Sequence, residues 1–258
     1  MRIARFVVDS DPVYGVVEGE PGSEMITVIH GDPFFNGVER TLVRHKLEDV
    51  RLLAPIIPRS KVIGVGRNFA EHARELGNEV PQHPLLFLKP NTAVVGPNDP
   101  IVLPEFSEEV SFEAELCVVI GRICKDVPED RVDDVIFGYT CGNDLTARDV
   151  QKTDLQWARA KGFDTSAPLG PWIETELDPE DLAIKGWLNG ELRQDGSTKQ
   201  MIRSVRELVS IVSQAFTLLP GDVIMTGTPA GVGLLQEGDR YEIEIEGIGR
   251  LSNPVVRR

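Results

Sequence analysis

The chain has 258 residues, of which 41% are hydrophobic and 26% are charged, and its formal net charge is −14. A chain of this length can bury a core without disulfides or structural metals. Its acidic balance lacks the basic footprint that nucleic-acid binding needs, so we expect no nucleic-acid partner. No apolar run approaches the roughly 20 residues of a transmembrane helix, so we expect no membrane partner either.

The cysteine content indicates a reducing compartment. Cys117, Cys124 and Cys141 are an odd number, they form no CxxC pair, and we recognise no secretory leader. This usage is typical of a cytoplasmic protein whose cysteines fill the core.

Short β-strand patterns open the chain. The stretches "IARFVVD", "VYGVVEG" and "MITVIHG" each read as a strand, and "LLAPIIPRS" follows with two prolines that suit a connector. We predict a small β-rich N-terminal module over residues 1–57 and a second domain over residues 58–258.

The next segment predicts a buried strand followed by a short helix. "KVIGVG" is the strand, and Asn68 is a good N-cap for a helix over residues 69–76, with Gly77 after its end. The glycines of "GVGRNF" do not complete a dinucleotide-binding fingerprint, because the third glycine is missing. We interpret them as a tight turn that projects Arg67 and Asn68.

His72 and Glu75 are spaced i, i+3, so they share one face of this predicted helix. A solvated surface pair is one interpretation. The other is a histidine base that is oriented by a carboxylate.

The stretch "SFEAELCVVIG" places Glu113 and Glu115 on one face of a predicted strand that runs directly into an apolar segment. Acids on a half-exposed face would explain the pattern. Near a core, however, two like charges are costly unless a cation neutralises them. Asp144, at the end of the predicted strand "FGYTCGND", is a candidate third carboxylate, and Mg²⁺ or Ca²⁺ prefers such oxygen ligands.

Basic and polar residues follow Asp144 closely. Arg148, Gln151 and Lys161 are candidates for a positively charged site, whereas Arg159 fits a solvated surface. The glycine-rich "TGTPAGVG" lacks the GK[ST] of a phosphate-binding loop. Its backbone amides and the Thr228 hydroxyl can still hold a carboxylate.

Two further elements have clear local signals. Asn189-Gly190 predicts the turn of a hairpin in "IKGWLNGELRQ". Ser204 and Glu207 form a capping-box pattern at the start of an amphipathic helix. The chain as a whole reads as mostly β with a few short helices.

Eight stretches, in order from about residue 60 to the C-terminus, carry a family resemblance. The chain resembles the fumarylacetoacetate hydrolase superfamily, and in particular its small acylpyruvases, oxaloacetate decarboxylases and 2-hydroxyhepta-2,4-diene-1,7-dioate isomerases. The matching stretches are "GRNFAEHARELGN", "PLLFLKP", "VSFEAELCVVIG", "GYTCGNDLTARDVQ", "RAKGFDTSAPLGPWI", "NGELRQDG", "TLLPGDVIMTGTPAGVG" and "EIEIEGIGRLSNPV".

The resemblance implies a mostly β (α+β) fold. It is the mixed β-sandwich roll of the family with short helices, beside the more variable N-terminal module, and the assembly is a homodimer. The resemblance also implies a Mg²⁺ or Mn²⁺ cofactor on Glu113, Glu115 and Asp144.

The same resemblance implies roles for the remaining candidates. Lys161 would act beside the metal, and His72 with Glu75 would be a catalytic pair on a lid. The implied substrate-binding residues are Arg67, Asn68, Arg148, Gln151 and Thr228.

The implied substrate is a small anionic 2-oxo acid, and the implied chemistry passes through a metal-stabilised enolate. One such site can host decarboxylation, isomerisation and hydrolysis, and the fold does not decide between them. At the level of the family resemblance, we place decarboxylation or isomerisation of a small 2-oxo dicarboxylate slightly ahead of acylpyruvate hydrolysis. The alternative of another class is a binding protein that retains the fold and has lost the activity.

Overall fold

The computed structural model describes residues 1–9, 11–75, 77 and 79–257. Within these residues the fold is mostly β with short helices, which confirms the predicted class. The strands are β1 (Arg2–Val7), β2 (Val13–Glu18), β3 (Met25–Ile29), β4 (Arg40–Lys46), β5 (Arg51–Leu53), β6 (Val62–Gly66), β7 (Leu85–Lys89), β8 (Val94–Val95), β9 (Ile101–Leu103), β10 (Val110–Phe112), β11 (Ala114–Ile120), β12 (Ile136–Asn143), β13 (Thr146–Ala147), β14 (Ala167–Glu174), β15 (Ala183–Leu188), β16 (Glu191–Ser197), β17 (Val223–Met225), β18 (Gly233–Leu234), β19 (Arg240–Ile245) and β20 (Gly249–Arg257).

The helices are short and lie between the strands. The α-helices are α1 (Pro33–Asn36), α2 (Ala70–Glu75), α3 (Arg148–Thr153), α4 (Ala158–Gly162) and α5 (Val205–Ala215), and 3₁₀ turns span Leu47–Asp49, Asn91–Ala93, Glu129–Asp134 and Thr198–Gln200. Among the described residues, no helix has the length and apolarity to span a bilayer.

The strands form one large mixed sheet and two smaller sheets. The large sheet runs β4-β3-β2-β1-β14-β12-β11-β17-β6-β7, with β5 also on β1 and β8 also on β14. A second sheet runs β16-β15-β19-β20-β9, and β13-β10-β18 form the third. Most pairs are antiparallel, but β6 runs parallel to β17, β8 to β14 and β9 to β20.

A hydrophobic core joins the large sheet to the five-stranded sheet. Leu116 and Val118 of β11 belong to the same buried cluster as Tyr241 and Ile243 of β19. Side chains alternate along each strand, so every second residue of β19 points into this core.

The N-terminal strands continue the large sheet. β1 pairs with β2 on one side and with β14 on the other, where Arg2 is opposite Glu174. The predicted boundary at residue 57 falls between β5 and β6, yet hydrogen bonding crosses it. The division into two domains therefore stays a prediction.

The hairpin prediction is confirmed, and the capping-box prediction is confirmed in its Ser204 half. Asn189 and Gly190 both have positive φ, 53° and 83°, and they join β15 to β16. The Ser204 side chain accepts a hydrogen bond from the Glu207 amide at the start of α5.

The start of α2 differs from its prediction. The helix spans Ala70–Glu75, and Leu76 lies outside the described residues. Asn68 is not the N-cap, because its side chain bonds to distant backbone groups instead. Its Nδ2 donates to the carbonyls of Arg203 and Thr226, and its Oδ1 accepts from the Arg203 amide.

The predicted continuous strand over "SFEAELCVVIG" is wrong in one respect, because it breaks at Glu113. β10 belongs to the three-stranded sheet, whereas β11 belongs to the large sheet. The side chain of Asn143 accepts a hydrogen bond from the Glu113 amide at 2.9 Å, so a side chain replaces a ladder partner at the break.

Candidate active site

Three buried carboxylates meet where β11 and β12 pair. Glu113 precedes β11, Glu115 lies within it, and Asp144 directly follows β12. Ala114 is opposite Asn143 in the ladder, and the Asp144 amide donates to the Glu113 carbonyl at 3.0 Å. Because of this register, one carboxylate oxygen from each residue lies within 4.8 Å of the others.

Each carboxylate has a different set of partners. Lys161 Nζ donates to Glu113 Oε2 at 2.8 Å and to Asp144 Oδ2 at 2.5 Å. Arg148 forms an ion pair with the other oxygen of Glu113. Glu115 accepts a hydrogen bond from the Gly227 amide at 2.7 Å. Glu115 therefore has the least positive charge in direct contact.

The pKa values of Glu113 and Glu115 are shifted in opposite directions. Burial raises the pKa of Glu113, but Arg148 and Lys161 outweigh burial and hold that pKa below its usual range. Burial and the negative charges of Asp144 and Glu113 raise the pKa of Glu115 well above its usual range. A cation beside Glu115 would favour its ionised form.

Lys161 lies in α4 with its side chain 3% exposed. Burial alone lowers its pKa, but the negative charges of Asp144 and Glu113 outweigh burial, and the net pKa is raised. Its ammonium group also lies 4.7 Å from the centre of the Phe87 ring, which is a cation–π distance. Lys161 is thus held as a charged group at the carboxylates.

A second buried lysine, Lys89, was not among the predicted site residues. Its ammonium lies 2.8 Å from Asp144 Oδ1 and donates to the carbonyls of Lys161 and Ser166, at 2.5 Å and 2.8 Å. Burial lowers its pKa. The sequence did contain a signal: by alternation Lys89 shares the face of the buried Phe87 in β7.

The predicted pair on α2 lies over the cluster. His72 is buried, with Nδ1 3.4 Å from Glu75 Oε2 and Nε2 3.6 Å from Glu113 Oε1. Glu75 also accepts from the Gly231 amide at 3.1 Å, which links α2 to the glycine-rich loop. The histidine therefore lies between the Glu75 carboxylate of α2 and the Glu113 carboxylate of the cluster.

These groups line one cavity of about 320 Å³. The predicted residues that line it are Arg67, His72, Glu113, Glu115, Asp144, Arg148, Gln151, Lys161 and Thr228. Val65, Gly66, Lys152 and Trp157 also line it and were not predicted. Asn68 does not reach the cavity, because its amide is engaged elsewhere, and Glu75 reaches it only through His72.

Arg67 and Lys152 both line the cavity but differ in their ion pairing. Arg67 has a positive φ of 59° and, within the described ranges, takes part in no ion pair. Lys152 donates to Glu109 at 2.9 Å and is mostly exposed. Arg67 is thus the wall cation without a protein counter-ion in the part of the chain that the structure describes.

The cluster fits a hard divalent cation. All three of its ligand groups are carboxylates, which such ions prefer. Asp144 Oδ1 is buried and faces the Lys89 ammonium at 2.8 Å, and no other group among the described residues donates to it. A carboxylate oxygen has two lone pairs, so this one can face a cation in addition to Lys89.

Comparison with known proteins identifies the family. A family profile described as fumarylacetoacetate (FAA) hydrolase, C-terminal, matches residues 61–256. The chain belongs to the fumarylacetoacetate hydrolase family. The resemblance inferred from the sequence is confirmed, and a separate profile, Rv2993c-like N-terminal, matches residues 1–55 of this family member.

Three similar proteins illustrate the range of activities named in the family. The structure of 5-carboxymethyl-2-hydroxymuconate delta-isomerase from Mycobacterium smegmatis has a TM-score of 0.93 and 48% identity, with all of both chains covered. Mitochondrial oxaloacetate tautomerase fahd2 from Xenopus laevis is 43% identical over 81% of this chain and 69% of its own. Maleylpyruvate hydrolase from Sphingobium sp. SYK-6, in complex with manganese(II) and pyruvate, has a TM-score of 0.80 and 33% identity, covering 100% and 99% of the two chains.

Proposed function

We propose that this protein is a divalent-metal-dependent enzyme that isomerises or tautomerises a small 2-oxo dicarboxylate, with decarboxylation as the related outcome on oxaloacetate. One observation carries the proposal. The buried carboxylates of Glu113, Glu115 and Asp144 share a cavity with the cations Lys161 and Arg148 and with a histidine. The names of the isomerase and tautomerase among the similar proteins support the same reaction class.

The proposed cofactor is Mg²⁺ or Mn²⁺, held by Glu113, Glu115 and Asp144. The oxygen-only ligand set supports either ion, and manganese accompanies the Sphingobium relative. When bound, the ion would polarise the 2-oxo carbonyl of the substrate as a Lewis acid.

Lys161 and Arg148 have complementary tasks in this proposal. The Lys161 ammonium, fixed between Glu113 and Asp144, stabilises negative charge that develops on a substrate oxygen. Arg148 neutralises Glu113 and is held in turn by Gln151, whose Oε1 accepts from its guanidinium at 3.1 Å. These buried contacts keep both cations in place without substrate.

His72 moves the proton. It is buried in the cavity wall, and Glu75 at 3.4 Å fixes the orientation of its ring. In an isomerisation, the histidine takes a proton from the carbon next to the 2-oxo group and returns it at another position.

Arg67 selects for a second carboxylate. It lines the cavity and has no ion-pair partner in the described part of the chain, so an anionic group of the substrate can take that place.

The proposal is tested by a substrate panel on one enzyme preparation. Oxaloacetate, acetylpyruvate and a 2-hydroxy-diene-dioate are each assayed with Mg²⁺ and with Mn²⁺, and Glu115→Gln serves as the metal-site control. We expect proton-transfer turnover on a dicarboxylate that depends on the ion and is lost in the variant. No turnover above the spontaneous rate on any substrate, together with undetectable Mn²⁺ binding, would support an inactive binding protein instead.

Hydrolysis of an acylpyruvate carbon–carbon bond is the second candidate. His72 and Glu75 can activate a water molecule as well as move a substrate proton, and a maleylpyruvate hydrolase is among the similar structures. In the same panel, pyruvate release from acetylpyruvate that outpaces every reaction on the dicarboxylates would favour this candidate.

We further propose a cytoplasmic homodimer. The three free cysteines suit a reducing compartment, and the family resemblance predicts the dimer. Light scattering on the purified protein measures the assembly, and a mass of about 28.5 kDa would show a monomer instead.

A further inference from the structure

Gln194 of β16 is fully buried and uses all of its hydrogen-bonding capacity. Its Oε1 accepts from the Ala114 amide at 2.9 Å and from the Tyr241 hydroxyl at 2.6 Å. Its Nε2 donates to Thr228 Oγ1 at 2.7 Å and to the Pro229 carbonyl at 2.8 Å. The orientation of the amide is fixed, because a backbone N–H can only donate and a carbonyl can only accept.

These contacts converge on the residue between two proposed metal ligands. Ala114 separates Glu113 from Glu115, and its amide is bound by Gln194. Its carbonyl accepts from the Thr228 hydroxyl at 2.8 Å. Both backbone polar groups of this one residue are thus held by buried side chains.

Phe112, the residue before Glu113, is also held in place. The Tyr241 ring stacks on Phe112, with ring centres 4.2 Å apart and planes at 23°. Burial raises the pKa of Tyr241 well above its usual range, so the phenol stays protonated and donates to Gln194. The chain is therefore held on both sides of Glu113, at Phe112 by ring stacking and at Ala114 by hydrogen bonds.

The side chains of Gln194 and Tyr241 that make these contacts come from a different sheet. Gln194 and Tyr241 lie on β16 and β19 of the five-stranded sheet, whereas Ala114 begins β11 of the large sheet. When both are ionised, Glu113 and Glu115 repel each other, and a chain free to relax at the strand break would let them separate. A fixed backbone between them limits that separation and adds to the side-chain contacts of Glu113 with Lys161 and of Glu115 with the Gly227 amide.

We propose that Gln194, with Tyr241, is a positioning residue for the metal ligands Glu113 and Glu115. The inference rests on the proposed metal site and goes beyond it, because it assigns a role to residues that neither line the cavity nor bind the ion. Residues that support metal ligands in this way typically contribute 10- to 100-fold in metal affinity.

The test measures Mn²⁺ dissociation constants from the electron paramagnetic resonance signal of free Mn²⁺. Gln194→Met keeps the length of the side chain and removes all four hydrogen bonds, and we expect its dissociation constant to rise about 10- to 100-fold. Tyr241→Phe keeps the ring stacking and removes one bond, and we expect a rise of about two- to tenfold. Thermal melts establish that each variant is folded at the temperature of measurement.

Gln200→Met is the matched control. Gln200 lies six residues further along the chain and accepts from the Ser197 amide in a capping box outside the cavity. We expect this variant to lose some stability and to bind Mn²⁺ like the wild type.

The outcomes separate the two proposals. If the wild type binds Mn²⁺ and folded Gln194→Met binds equally well, the positioning role is refuted and the metal site stands. If Gln194→Met does not fold, an unchanged dissociation constant in Tyr241→Phe refutes it. If the wild type itself binds no Mn²⁺, the proposed metal site is refuted along with the inference.

Discussion

Lys89 is a buried cation. Its ammonium donates to three backbone carbonyls and to a serine hydroxyl, and it forms an ion pair with Asp144. Removing the ammonium breaks a buried ion pair and leaves Asp144 with Lys161 as its cation. Three buried carbonyls would each lose one donor as well. We predict that Lys89→Met lowers the free energy of unfolding by about 3–5 kcal/mol, measured by urea denaturation.

Lys152→Met is the control for this prediction. Lys152 also pairs with a carboxylate, Glu109, but its side chain is 69% exposed. Exposed ion pairs contribute about 0–1 kcal/mol. Equal losses in the two variants would contradict the structural role of Lys89.

His72 is expected to transfer a proton, so its removal acts on turnover. We predict that His72→Ala lowers kcat by about 10²- to 10⁴-fold, on whichever substrate the panel identifies, because general acid–base catalysis has this magnitude. Glu71→Ala, on the exposed face of the same helix, is expected to keep the wild-type kcat. Full turnover in His72→Ala would reduce the pair to a structural contact.

Individual residues of the site differ in how well the sequence predicted them. Glu113 and Glu115 were recognisable because two acids beside an apolar run need a cation, and the structure does bring them to Asp144. Lys89 carried only a weak local signal, because its hydrogen-bond partners lie 56 to 77 residues further along the chain. Gln194 carried no local signal, because alternation along β16 does not reveal which sheet covers it.

At the scale of elements, Asn68 illustrates competition between local and distant partners. The local pattern predicted an N-cap, but the side chain binds Arg203 and Thr226, 135 and 158 residues away. Asn68 thereby ties the segment before α2 to the segment before α5 and to the residue after β17. This role also explains why Asn68 does not reach the cavity.

We predict that Asn68→Asp destabilises the protein by about 1–3 kcal/mol, because it removes two donors to buried carbonyls. Thermal unfolding measures the loss, and hydrogen exchange in α2 should become faster. Asn91→Asp, at an exposed position, is the control and should stay within about 0.5 kcal/mol of the wild type. A changed KM with unchanged stability would instead favour the substrate contact predicted from the sequence.

At the scale of the whole molecule, the N-terminal strands and the remainder of the chain meet closely at Gly96. A Cβ at this position would lie 2.3 Å from the Ala54 nitrogen and 2.6 Å from the Leu53 carbonyl carbon. Both contacts are with backbone that follows or ends β5, so neither can turn aside. Gly96 therefore allows the chain after β8 to lie against the end of β5, across the predicted boundary at residue 57.

We predict that Gly96→Ala lowers stability by about 1–3 kcal/mol or more through overpacking, as measured by thermal unfolding. Gly238→Ala is the contrast, because its Cβ would meet open space and only the positive φ of 90° would be strained. That strain corresponds to about 1–2 kcal/mol. A smaller loss at Gly96 than at Gly238 would show that the two regions can separate freely.

The pairing of β11 with β12 has a consequence for folding. Glu115 is opposite Gly142 and Ala114 is opposite Asn143, and a slip of one residue would turn Glu115 to the other face of the sheet. A refolding chain can therefore assemble its three carboxylates only after this ladder has reached its native alignment. If the proposed site binds Mn²⁺, the rate of Mn²⁺ uptake during refolding would report when β11 and β12, in the middle of the large sheet, reach their native pairing.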